Sequence, residues 1–144
     1  QMLKDVTEPV WESRECIRLL KDKGYRIVLA TNPLFPRIAT YSRIRWAGLN
    51  PEDFAWITTY ENSSYCKPNV KYYEEILGIL GLVPEQCIMV GNDVTDDMSA
   101  EIIGMDTYLV TDCLINTQNK DTDSYKKGSL NELLDFIKSL PDIK

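Results

Sequence analysis

The sequence predicts an α/β fold: a Rossmann-like parallel sheet with helices on both faces. Three observations predict it. Helical and strand-type apolar periods alternate along the chain. The helical stretches stop at glycines, namely Gly24, Gly48, Gly81 and Gly104. The strand segments are short apolar runs, which suits strands covered on both faces. Alternation on this scale implies right-handed crossovers and a mostly parallel sheet.

The elements follow in order. Val10 to Lys23 is helical, with Ile17 and Leu20 apolar and Cys16 and Leu19 beside them, and Gly24 supplies the left-handed cap. Arg26-Ile27-Val28-Leu29-Ala30-Thr31 reads as a strand buried on both faces. A second helix runs from about Pro36 to Gly48, and a short strand spans Ala55 to Thr59. Asn69 is a good N-cap. The helix it opens sets Tyr72, Tyr73, Ile76, Leu77 and Leu80 on one face. Cys87-Ile88-Met89-Val90 is the next strand, a helix from about Asp96 ends at Gly104, and a last strand lies near Thr107 to Val110. Thr111 to Lys127 is polar and aperiodic, a long surface loop. Ser129-Leu130-Asn131-Glu132 is a capping box. It opens a helix striped by Leu130, Leu133, Leu134 and Ile137, and Pro141 closes it.

Composition narrows the function. The chain has 144 residues, enough for one domain with a proper core, and residues 1–144 are read as one. A net charge of −6 is unsuited to nucleic-acid binding. No apolar run reaches the roughly 20 residues that span a bilayer, so no membrane partner is expected. There is no histidine, which removes imidazole catalysis and histidine-ligated zinc. Cys16, Cys66, Cys87 and Cys113 include no C-x-x-C pair, so they read as free thiols in a reducing, cytoplasmic protein. Cys87, in its apolar run, reads as a core filler, and Trp11, Trp46 and Trp56 as packing residues. The chain begins Gln1-Met2, which suggests a tag scar or a cut inside a longer protein.

In parallel α/β sheets, ligands sit beyond the carboxyl ends of the strands, so the polar residues there are the candidates. Thr31-Asn32-Pro33 follows the first strand. Alone it reads as a capping turn held extended by Pro33. Lys67-Pro68 precedes a helix, where a cation opposes the macrodipole; the alternative is a solvated surface lysine. Gly91-Asn92-Asp93-Val94-Thr95-Asp96-Asp97 clusters three carboxylates, and Asp93 and Asp97 share a face if the turn is helical. This is either a Mg²⁺ site or an acidic helix start. Together, a hydroxyl, an ammonium group and an acid cluster at successive strand ends suit a phosphate and its Mg²⁺.

These motifs resemble those of the haloacid dehalogenase-like hydrolases. Leu29-Ala30-Thr31-Asn32 is similar to that superfamily's second motif, Tyr65-Cys66-Lys67-Pro68-Asn69 to its third, and Val90-Gly91-Asn92-Asp93 through Asp97 to its fourth. Trp46 through Phe54 fits the link between them. The resemblance covers roughly residues 9 to 110. It implies a Mg²⁺-dependent phosphohydrolase acting on a small phosphorylated substrate through an aspartyl-phosphate. Thr31 and Asn32 would bind the phosphoryl group, and Lys67 would stabilise its charge. Asp93 would hold the metal, with Asp97 a second ligand or an anchor for Lys67. The family reads Gly-Asp where this chain reads Gly-Asn-Asp, so Asn92 is a third candidate ligand. Asp96 reads as a solvated helix-start acid.

The family's first motif, a strand ending in Asp-x-Asp, has no counterpart here. The one early aspartate, Asp5, follows no apolar strand. The chain therefore resembles the carboxyl-terminal part of such a hydrolase, with residues 1–8 the end of a cap or a linker. The nucleophile would come from an upstream segment, and this chain alone would be inactive. A non-catalytic binding or regulatory protein on the same scaffold is the main alternative. A receiver domain would order its motifs acids, Thr, Lys rather than Thr, Lys, acids. A dinucleotide-binding domain would show G-x-G-x-x-G after a strand.

Overall fold

The computed structural model describes residues 11–143. The expectations for residues 1–8, for Asp5 and for a helix start at Val10 fall outside the described residues. The described residues divide into two compact units, one formed by residues 11–62 with 134–143 and the other by residues 63–133.

In the first unit, helix α1 (Trp11–Asp22) is followed by Gly24 in a left-handed conformation, φ 91°. Strand β1 (Val28–Leu29) pairs in parallel with β2 (Trp56–Ile57), Val28 opposite Trp56 and Leu29 opposite Ile57. Helix α2 (Arg37–Trp46) lies between them in the chain. Asn50 accepts the Glu52 N–H at 3.1 Å and opens a short 3₁₀ turn, Pro51–Asp53, that leads into β2. Cys16, Ile44, Ile57 and Ile137 form part of the buried core. Lys23 donates to the Lys138 carbonyl at 2.8 Å and the Tyr25 hydroxyl to the Pro141 carbonyl at 2.9 Å, fastening the turn after α1 to the last helix.

The second unit begins with helix α3 (Lys71–Leu80), which ends at Gly81 in a left-handed cap. The N-cap is Val70, one residue later than the expected Asn69, and Asn69 Oδ1 accepts the Lys71 N–H at 3.0 Å in the turn before the helix. Tyr72, Tyr73, Ile76 and Leu77 are buried as the periodicity requires. Strand β3 (Ile88–Gly91) pairs in parallel with β4 (Asp106–Val110), and β4 with β5 (Lys127–Gly128). The last helix, α4 (Leu130–Ser139), opens with the reciprocal bonds of a capping box. Ser129 Oγ accepts the Glu132 N–H, and Glu132 accepts the Ser129 N–H.

Five sequence expectations are corrected. Residues 27–30 are half-buried rather than buried on both faces. Among the described residues β1 pairs only with β2, so one side of the run has no strand against it. The helix expected from Asp96 is a 3₁₀ helix, Met98–Ile103, closed by Gly104 at φ 99°. The aperiodic loop hides β5, a two-residue strand too short to carry a period. Cys87 stands half-buried at the mouth of β3, and Trp11 is 56% exposed on the outer face of α1.

Candidate active site

The centre of the candidate site lies in the second unit, where β3 ends. Lys67 comes from the loop before α3 and Asp97 from the turn after β3. Lys67 Nζ lies 2.5 Å from Asp97 Oδ1, and the two side chains are 10% and 6% exposed. Burial lowers the local dielectric and makes their attraction much stronger than that of a surface pair. The Lys67 ammonium also sits 6.0 Å from the centre of the Tyr72 ring.

Asp97 is satisfied on its other oxygen too. Oδ2 accepts the backbone N–H groups of Asn92 and Asp93, each at 3.0 Å. Both oxygens are thereby engaged, one by a cation and one by a pair of amides. The carboxylate fits this closely because residue 91 is glycine. A Cβ at Gly91 would stand 2.5 Å from Asp97 Cβ and overlap its carboxylate.

Asp93 has a different role in the turn. Its Oδ1 accepts the N–H groups of Thr95 and Asp96, each at 2.9 Å, so it caps the turn that carries Asp97. Asn92 turns the other way, and its Nδ2 donates to the Cys113 carbonyl at 2.8 Å. Ile115 brackets the same turn through its N–H to the Asn92 carbonyl and its carbonyl to the Val94 N–H, at 2.8 and 2.9 Å. Residues 113–115 therefore border the acidic turn. The sequence singles out no residue of the 111–127 loop for this, because all three contacts use the loop's backbone and leave no pattern in side-chain chemistry. Asp96 is half-buried rather than solvated.

Thr31 and Asn32 belong to the first unit. They follow β1 after Ala30, and both are half-buried. Thr31 Oγ1 donates to the Thr58 carbonyl at 3.4 Å, and Thr58 Oγ1 donates back to the Thr31 carbonyl at 2.5 Å. Thr58 is 1% exposed and ties the carboxyl ends of β1 and β2 together.

The donor set bears on a metal. Among the described residues, no three Cys, Asp or Glu side chains form a ready-made cage. Mg²⁺ does not need one, since it is commonly held by one or two protein oxygens, with phosphate and water completing the shell. With Asp97 engaged, the Asp93 carboxylate is a hard donor at this turn, while the Asn92 side chain faces the Cys113 carbonyl.

The family model for haloacid dehalogenase-like hydrolases matches residues 1–104. A glyceraldehyde 3-phosphate phosphatase from Methanothermobacter thermautotrophicus is 30% identical over 126 residues, which cover 86% of this chain and 53% of that protein. The chain thus spans about half the length of that curated relative. A HAD phosphatase from Thermococcus onnurineus superposes with a TM-score of 0.73 at 20% identity, over 93% of this chain and 60% of that one. A magnesium-bound HAD hydrolase from Bacillus subtilis superposes with a TM-score of 0.69 at 22% identity, over 90% of this chain and 55% of that one. These structures share the α/β Rossmann-like fold.

Proposed function

Because the chain belongs to the haloacid dehalogenase-like hydrolases, we propose that it supplies the charge-stabilising half of a Mg²⁺-dependent phosphohydrolase that acts on a small phosphorylated metabolite. The observation that carries this reading is the buried Lys67–Asp97 pair, seated on the amides of Asn92 and Asp93 where β3 ends. A lysine held this way is a fixed positive charge that needs little rearrangement when negative charge develops beside it.

Each residue has a part in this reading. Lys67 offsets the charge of the phosphoryl group and of the carboxylate that attacks it. Asp97 holds Lys67 in place, and Asp93 would hold Mg²⁺. When bound, that ion neutralises phosphoryl oxygens and favours in-line attack. Thr31 and Asn32 bind phosphoryl oxygens. The nucleophile is an aspartate carboxylate that attacks phosphorus and expels the alcohol oxygen of the substrate. Water then cleaves the aspartyl-phosphate and restores the carboxylate.

We place that aspartate on an upstream strand outside the described residues. The described strands form two sheets, β1–β2 and β3–β4–β5. Ile88 and Val90 on β3 are each 38% exposed although their run is apolar. The exposed apolar residues of β3 support a further strand beside it. On this reading the 144 residues alone are inactive and work in a reducing cytoplasm, which suits their four free thiols. Neither nucleic acid nor membrane is a partner. No helix of the described residues is long and apolar enough to cross a membrane.

The test is phosphate release by the full-length protein from a panel that includes glyceraldehyde 3-phosphate, the substrate named for the relative. Mg²⁺-dependent turnover that Lys67→Ala reduces about a hundredfold supports the reading. No turnover on any phosphomonoester would favour a binding role on the same scaffold.

A further inference from the structure

Helix α3 carries two adjacent tyrosines, Tyr72 and Tyr73, 1% and 2% exposed, with their rings edge to face at 5.1 Å. Packing accounts for both rings. It does not account for the hydroxyl of Tyr73, because phenylalanine would fill the same space without burying a polar atom.

The hydroxyl has a specific target. It donates to the Asp96 carbonyl at 2.6 Å, with the Asp97 carbonyl a second acceptor at 3.3 Å. Ser99 Oγ donates to the same Asp96 carbonyl at 2.8 Å. These carbonyls lie where the acidic turn passes into the Met98–Ile103 helix. The Asp97 N–H reaches the Asp93 carbonyl at 3.0 Å, and the Ala100 N–H reaches the Asp97 carbonyl at 3.4 Å. Burial raises the Tyr73 phenol above its ordinary range, and the carboxylates of Asp97, Asp96 and Asp93 raise it further, so it stays protonated and donating.

We infer that Tyr73 is a positioning residue, whose hydroxyl fixes the backbone at Asp96 and Asp97 and so aims the Asp97 carboxylate at Lys67 and at the amides of Asn92 and Asp93. Its kinetic consequence rests on the phosphohydrolase reading, whereas its geometric consequence does not. The arrangement spans two elements: α3 holds the loop that carries the acids, and Lys67 enters from the loop that precedes α3.

The experiment compares Tyr73→Phe and Lys67→Ala with the unsubstituted full-length protein. Tyr73→Phe is expected to lower kcat roughly tenfold with KM within about twofold, as for a group that acts on the charge-stabilising residues rather than on substrate binding. Amide hydrogen exchange at Asn92 and Asp93 is expected to accelerate about tenfold, while exchange at Leu109 in the sheet holds steady. Exchange at Asn92 and Asp93 within twofold of wild type overturns the inference, whatever kcat does. Unaltered turnover in Lys67→Ala overturns the phosphohydrolase reading and leaves the exchange result to decide the inference. If Tyr73→Phe fails to fold, Ser99→Ala removes the companion bond to the Asp96 carbonyl. A severalfold acceleration at the same two amides then supports the clamp, and no acceleration overturns it.

Discussion

Lys67 and Asp97 lie thirty residues apart in the chain yet meet at 2.5 Å, both nearly buried. One enters before a helix and the other after a strand, so the pair exists only once α3 and β3 are in place. Breaking a buried pair leaves the other charge without compensation, at a cost of about 3–5 kcal/mol. Lys67→Met and Asp97→Asn should each destabilise the protein by about that much in urea unfolding. Combined, they should cost little more than either alone. Additive losses would show that the two side chains do not depend on each other.

Gly91 is the residue that lets Asp97 approach its amides. Gly91→Ala should destabilise by about 1–3 kcal/mol, the usual range for forcing an extra carbon into a packed site. It should also loosen the Asn92 and Asp93 amides in hydrogen exchange. A variant as stable as wild type, with unchanged exchange, would contradict the close approach.

Asp93 separates structure from chemistry. Asp93→Asn keeps an oxygen to accept the Thr95 and Asp96 N–H groups, so stability should change little. In the full-length protein, turnover should fall about a hundredfold and the Mg²⁺ requirement should rise. Phosphate release measured across a Mg²⁺ titration checks both. Normal turnover would move the metal to other oxygens.

Glu61 gives a pH signature. It reaches from the loop after β2 and accepts the Arg37 N–H at the start of α2, at 2.9 and 3.1 Å. Its own backbone N–H and that of Arg37 hold its carboxyl below the ordinary value of 4.5. A lowered folded value means the contribution is complete above about pH 4.5 and is lost as pH falls through the folded value. Glu61→Gln should therefore unfold at lower urea than wild type near neutrality, and the gap should close in acid. A gap that widens in acid would contradict the cap.

The thiols should sort by burial. Cys16 lies in the core, where desolvation pushes its thiol up to about 11. Cys66 and Cys113 are exposed. Timed maleimide labelling read by mass spectrometry should modify Cys66 and Cys113 first and Cys16 only on unfolding. Rapid labelling of Cys16 in the native state would show that α1 opens readily.

What the amino-acid order by itself determined was local. The glycine stops at positions 24, 48, 81 and 104 all carry positive φ, because only a residue without Cβ adopts that conformation at little cost. The Ser129–Glu132 capping box and the Tyr72, Tyr73, Ile76, Leu77 stripe were legible because each depends on spacing within one element. The polar residues at the strand ends were legible for the same reason. Tertiary structure decided what those residues touch. Whether Asp97 is a ligand or an anchor was open in the sequence, since both roles use the same carboxylate at the same spacing. The fold brought Lys67, from the loop before α3, to Asp97, from the turn after β3, and the open face of Gly91 let the amides of Asn92 and Asp93 occupy its other oxygen. Strand β5, the 113–115 border and the Tyr73 hydroxyl bond depend on contacts distant in the chain, which no period records.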